Sequence, residues 1–190
     1  MKIAVFGGSF NPPHLAHLMA CAYALAREDV DRVLMVPCAR HPFGKPLAPF
    51  EHRLAMCKLA VEGVVERVEV SDIEAAREGV SYMIDTIEEL MRRRPRDTFR
   101  LLAGSDITGE TARWRDFDRL RQLAPPLVIP RLGVETLNEA VQSHHFVLPD
   151  ISSIHIRERL ARGDVPRELL PRRVADYIAA HGLYSQPMTE

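Results

Sequence analysis

The chain has 190 residues, 46% hydrophobic and 27% charged, with a formal net charge of -1; it can bury a sizeable core, and its balanced charge sets up no whole-molecule field toward nucleic acid or an acidic membrane. No apolar run is long enough to span a bilayer, and the N-terminus reads as a core strand rather than a leader. Cys21, Cys38 and Cys57 are too few and scattered for a disulfide framework, form no C-x-x-C, and suit a reducing cytosol, so a cytoplasmic protein is expected.

Taken in chain order, short apolar runs predict strands at 2–6, 32–36, 67–70, 99–103, 126–130 and 145–148. Between and after them, amphipathic periods predict helices at 15–27, 49–62, 81–94, 115–123, 153–161 and 167–181. Val33–Val36 and Leu127–Ile129 are continuously apolar and end at prolines, as strands buried on both faces do. This alternation implies right-handed βαβ units and an α/β fold, a doubly wound, Rossmann-like parallel sheet with helices on both faces. We see no internal repeat or low-complexity linker, so a single domain over 1–185 is expected, followed by a loose tail at 186–190.

The first strand runs into GGSFNPPHLAH. Gly7 and Gly8 allow a turn that a Cβ would obstruct, and a helix start follows; backbone N–H groups and the helix dipole converge on anionic oxygen at such turns. The stretch matches neither the dinucleotide fingerprint nor the P-loop. His14 and His17 share a helix face in the first turns, where imidazolium is disfavoured and an anionic partner is favoured. Ordinary core or surface histidines are the competing reading. A zinc reading would add Cys21, but no fourth ligand has the spacing.

In a doubly wound sheet, ligands sit beyond the carboxyl ends of the strands. The unusual polar clusters all fall there: 7–17 after the first strand, 37–45 after the second, Gly104-Ser105-Asp106 after the fourth, Arg131 after the fifth and 150–153 after the sixth. Arg40, His41 and Lys45 form either an electropositive lip or a solvated loop. Glu51-His52-Arg53 opens a helix, and a role in holding this loop outweighs a direct one. Ser81 suits a helix cap. Trp114, the only tryptophan, is core by base rate. Asp106 reads as an N-cap or as a partner for hydroxyls or hydrated metal. Ser152 or Ser153 can cap the helix that follows, and Arg157 then stands in its first turn, against the dipole, as if an anion were near.

GGSFNPPHLAH resembles the signature of the nucleotidyltransferase superfamily with a (T/H)xGH-type motif. Within it, EHRLAMCKLA, SYMIDTIEEL, AGSDITGETARW and ISSIHIRERL resemble, in order, blocks of the bacterial nicotinate-nucleotide adenylyltransferase family. The resemblance implies a nucleotidyltransferase-type fold and transfer of AMP from ATP to nicotinate mononucleotide. It implies His14, His17 and Arg157 on the triphosphate, with Gly7, Gly8, Ser9, Phe10, Gly104, Asp106, Ser152 and Ser153 around the nucleotide. Lys45, Asp85, Thr86 and Trp114 fall to the mononucleotide, whose ring would stack on Trp114. Mg2+ is implied with ATP, held by phosphates and water, with no protein metal ligand. The partners implied are ATP and a pyridine mononucleotide, without nucleic acid or membrane; homo-oligomerisation is left open. The chain departs from the family at PFGK for the usual PHK, which leaves His41 competing with Lys45. It has Met83 where the family has threonine beside the pyridine-carboxylate pocket, and Ile154 for the threonine of ISSTxIR. The alternatives are another acceptor (nicotinamide mononucleotide or a phosphopantetheine) or a nucleotide-binding module without turnover.

Overall fold

Side chains alternate across a strand, so a strand buried on both faces feeds two cores. The computed structural model, which describes residues 1–27, 29–105, 113–130 and 146–186, shows this division. Ile3, Val5, Leu34, Val36 and Leu101 enter one core, and Ala4, Val33, Met35, Leu102 and Ile129 enter the other.

The elements are β1 (Lys2–Gly8), α1 (Leu15–Leu25), β2 (Arg32–Pro37), α2 (Phe50–Val61), β3 (Val68–Val70), α3 (Met83–Arg93), β4 (Thr98–Gly104), α4 (Phe117–Leu123), β5 (Pro126–Ile129), α5 (Ser153–Ala161) and α6 (Arg172–Ala180). All strands are parallel, in the order β3-β2-β1-β4-β5. Helices α1, α2, α5 and α6 cover one face, and α3 and α4 the other. This is the doubly wound α/β architecture expected from the alternation. The order reverses between β1 and β4, so a crevice opens at their carboxyl ends, at Gly7-Gly8 and Ala103-Gly104.

Several elements differ from expectation. β1 continues through Gly7 and Gly8, which pair with Val36 and Pro37. Neither glycine has a positive φ; the chain turns instead at Phe10, with φ 44°. The glycines serve close approach. A Cβ on Gly7 would come within 3.0 Å of Met83 Cε, and one on Gly8 would lie 3.1 Å from the Phe10 ring. Helix α3 starts at Met83, because Ser81 Oγ accepts from the Arg40 N–H (3.1 Å) and caps nothing. The last helix begins at Arg172 instead of 167, since Pro171 disfavours the α conformation in the residue before it. In place of a sixth strand, Leu148 makes one bridge, its N–H donating to Pro130 O at 2.8 Å, and Pro149 then has no N–H to extend a ladder.

Candidate active site at the switch point of the sheet

Two adjoining cavities open above the carboxyl ends of the strands. The larger, about 320 Å³, lies between β1 and β4 and is lined by Gly7, Gly8, Ser9, His14, His17, Gly104 and Ile151 among others. The smaller, about 150 Å³, lies between the loop after β2 and the start of α3, with Cys38, Phe43, Glu74, Ser81, Tyr82 and Met83 in its walls. Gly7, Gly8, Ser9, His41 and Trp114 belong to both. The junction is therefore backbone, one imidazole and one indole.

His14 is the N-cap of α1 and His17 stands one turn on. Their rings stack at 3.7 Å. The His14 backbone N–H donates to His17 Nδ1 at 3.0 Å, so Nδ1 is an acceptor and the ring proton sits on Nε2. The buried Phe10 ring meets His17 edge-on at 4.9 Å and fixes its plane from below. Cys21 is fully buried in the core, where burial pushes its thiol up to about 12. It therefore stays protonated. Among the described residues no cluster of three or more His, Cys, Asp or Glu could hold a metal. The zinc reading fails on that geometry.

The loop carrying this pair is tied down from three sides. Arg53, 1% exposed, donates from Nη1 to Ser9 O (2.9 Å) and from Nε to Ala48 O (2.8 Å). Asn11, also buried, accepts at Oδ1 from the Ala48 N–H and the Tyr184 hydroxyl. From α5, Arg157 Nη1 donates to Asn11 O at 2.8 Å and Ser153 Oγ to Pro12 O at 3.0 Å, while Ser152 Oγ caps the helix by accepting from Ile154 N–H. Half burial lowers the Arg157 pKa, and Tyr184 and Glu158 oppose that.

Of the residues singled out in the sequence, Gly7, Gly8, Ser9, His14, His17, Gly104 and Trp114 line the cavities. Phe10, Ser152, Ser153 and Arg157 line neither. Lys45 is exposed and lines neither, whereas His41 lines both. Burial, followed by the charges of Lys45, Arg53 and Arg113, lowers the pKa of His41 and keeps it neutral. Thr86 is fully buried, donating to Glu74 Oε1 (2.7 Å) and accepting from Arg77, and Asp85 pairs with Arg115 at 3.6 Å. Asp106 and Arg131 lie outside the described residues. Sequence reasoning missed Asn11, Glu74 and the Arg113–Arg115 pair. Asn11 stood in the quoted GGSFNPP, and the two arginines flank the one tryptophan.

The cytidylyltransferase-like family matches residues 5–159. Curated relatives named as probable nicotinate-nucleotide adenylyltransferases include one from Anaeromyxobacter dehalogenans, 46% identical over 186 residues and 96% of each chain. Another, from Myxococcus xanthus, is 39% identical over 100% of this chain and 97% of the relative. A third, from Thermus thermophilus, is 39% identical over 97% of this chain and 100% of the relative. Among solved structures, a Plasmodium falciparum nicotinic acid mononucleotide adenylyltransferase complexed with NaAD superimposes with a TM-score of 0.82 over 99% of each chain. At 20% identity that likeness speaks to the fold. With the sheet, the histidine pair and near full-length relatives in agreement, the chain belongs to the nicotinate-nucleotide adenylyltransferase family.

Proposed function

We infer that this protein joins AMP from ATP to nicotinate mononucleotide, releasing pyrophosphate and forming nicotinate adenine dinucleotide. The observation that carries this reading is the paired cavity: two compartments share the Gly7-Gly8-Ser9 backbone at their junction, one with the histidine pair and the other with the aromatic wall. ATP takes the larger compartment and the pyridine ring the smaller, against Trp114. The acceptor's 5′-phosphate oxygen attacks the α-phosphorus in line, and the bond to the bridging oxygen of pyrophosphate breaks as the new one forms.

The chemistry needs no covalent enzyme intermediate, so positioning and neutralisation of spreading negative charge do the work. The Nε2–H of His17 donates to the transferred phosphate, and His14 lies beside it. Arg157 contributes cationic charge from behind the loop, and Ser152 and Ser153 fix α5 there. A divalent metal such as Mg2+, brought in with ATP, would offset the charge of its phosphates. No helix among the described residues is long and apolar enough to cross a membrane.

The test is pyrophosphate release from ATP and Mg2+ with each acceptor in turn. Release with nicotinate mononucleotide supports the reading. Release only with nicotinamide mononucleotide or phosphopantetheine moves the acceptor. No release with any acceptor leaves a binding module.

A further inference from the structure

No site residue read from the sequence lies beyond Arg157, yet the turn after α6 reaches the loop that carries the histidine pair. Helix α6 ends in a Schellman turn. Gly182 takes the left-handed conformation at φ 59°, the Leu183 N–H donates to Ile178 O at 3.1 Å, and the Gly182 N–H donates to Ala179 O at 3.4 Å. The chain is thereby sent back toward the core, and Tyr184 is buried there. Its hydroxyl donates to Asn11 Oδ1 at 2.8 Å, from 173 residues away. A second bond from the same part of the chain meets the loop further on, where the Leu15 N–H donates to Leu169 O at 3.0 Å. Asn11 and Leu15 bracket His14.

We propose that the Tyr184 hydroxyl is a positioning group for adenylyl transfer, setting through Asn11 the loop from which His14 and His17 reach the phosphates. The inference rests on the functional reading above and adds a residue to it. A buried ring by itself is explained by packing; three features go further. Tyr184 has a φ of 61°, a left-handed conformation that a bulky side chain keeps only where its surroundings hold it. Asn11 has both oxygens committed: its backbone O accepts from Arg157 Nη1 at 2.8 Å, and its Oδ1 accepts from the Ala48 N–H at 3.1 Å as well as from Tyr184. Tyr184 and Arg157 therefore fix the same residue. The phenol also remains a donor, because burial pushes its pKa up, against the pull of Arg157 and Arg53.

Asn11 lines neither cavity, whereas Ser9 lines both. Loosening Asn11 leaves the binding walls in place and displaces the histidine pair. The cost then falls on the transition state, where donor geometry decides the rate.

The experiment measures kcat, both KM values and Tm in wild type, Tyr184→Phe, Tyr177→Phe, Asn11→Ala and the Asn11→Ala/Tyr184→Phe double variant, with ATP and nicotinate mononucleotide. Tyr184→Phe keeps the ring and deletes one buried hydrogen bond, so kcat should fall about fivefold while both KM values stay within about twofold of wild type. Tyr177→Phe removes a hydroxyl of the same C-terminal segment that meets His52 Nδ1 at 3.0 Å on α2, away from the loop, and should leave kcat unchanged. Asn11→Ala removes the acceptor and should also lower kcat, and adding Tyr184→Phe to it should cost nothing further. Melts confirm that each variant is folded at the assay temperature. An unchanged kcat in folded Tyr184→Phe, an equal loss in Tyr177→Phe, a rise in KM in place of the loss in kcat, or additive losses in the double variant would overturn the proposal. A wild type that releases no pyrophosphate overturns the functional reading and this inference together, which is distinct from an active enzyme indifferent to Tyr184→Phe.

Discussion

Arg53 tests most directly how the phosphate loop is held. Its side chain is almost wholly buried, and burial lowers its pKa. Its charge is met by two backbone carbonyls, Ser9 O at 2.9 Å and Ala48 O at 2.8 Å, and by the Phe50 ring at 5.6 Å. Arg53→Met keeps the bulk and removes both bonds. Two charge-assisted bonds are worth about 3–6 kcal/mol, and relief of the buried cation's desolvation offsets part of that, leaving a net loss of about 3 kcal/mol. For a chain of this size the loss lowers Tm by roughly 6–12 °C. Ser9 lines both cavities, so KM for ATP and for the acceptor should rise together. Arg53→Lys, with a charge but no fork, should fall between. Thermal melts and initial rates decide it. Melting within about 2 °C of wild type, or an effect on one substrate only, would refute the loop-clamp reasoning.

Three further outcomes follow from the same geometry. His17→Ala should cost about 100-fold in kcat while the fold survives, because it deletes a donor aimed at charge developing in the transition state; near-normal turnover would remove that role. Gly7→Ala drives a Cβ into Met83 Cε and pushes the thioether into the smaller cavity. Because that methyl is the end of a flexible side chain, the fold should lose little stability while the displaced thioether raises the acceptor KM, and Met83→Ala should restore KM; strictly additive effects on KM would show that the two do not meet. The native pKa of His41 is depressed, by burial first and then by three cations, so the unfolded chain takes the proton more readily. Stability from this group is complete above the unfolded value of about 6.5 and is lost as pH falls through it toward the native value. Urea unfolding across that window should show a slope that His41→Asn flattens, and an equal slope in the variant would exclude His41 as its source.

The strands were legible because burial on both faces leaves continuous apolar runs, and the site's location followed from the polar clusters after the first, second and fourth strands. What was not legible depended on distance along the chain. Gly7 and Gly8 looked like turn residues, but what excludes their Cβ atoms is Met83, which arrives on α3, and the ring of Phe10. Ser81 looked like a helix cap, and Thr86 like a contact to the mononucleotide. Their hydroxyls are committed to Arg40 and Glu74, outside the helix. Arg53 and Asn11 form bonds mainly to backbone groups, which carry no residue-type signal, so their partners could not be read from composition or spacing. Ser152 was legible for the opposite reason: a cap is local, and the helix it starts lies next to it in sequence.

The chain carries a net charge of -1, yet it is built to receive two phosphorylated substrates. We propose that the cations answering those phosphates are ones that cannot drift. Arg53 is fixed beneath the loop and Arg157 behind it, each through a hydrogen bond to a loop carbonyl, Ser9 O and Asn11 O. A guanidinium has five N–H donors, so one spent on a carbonyl still leaves a fixed positive charge. Fixed charges in a partly desolvated wall need no reorganisation when negative charge spreads over the phosphorus, and mobile surface lysines would have to be ordered first. On this argument the value of Arg157 lies in the position it shares with the loop, and its replacement by lysine, which keeps the charge and loses the planar fork, should impair turnover nearly as much as removal of the charge.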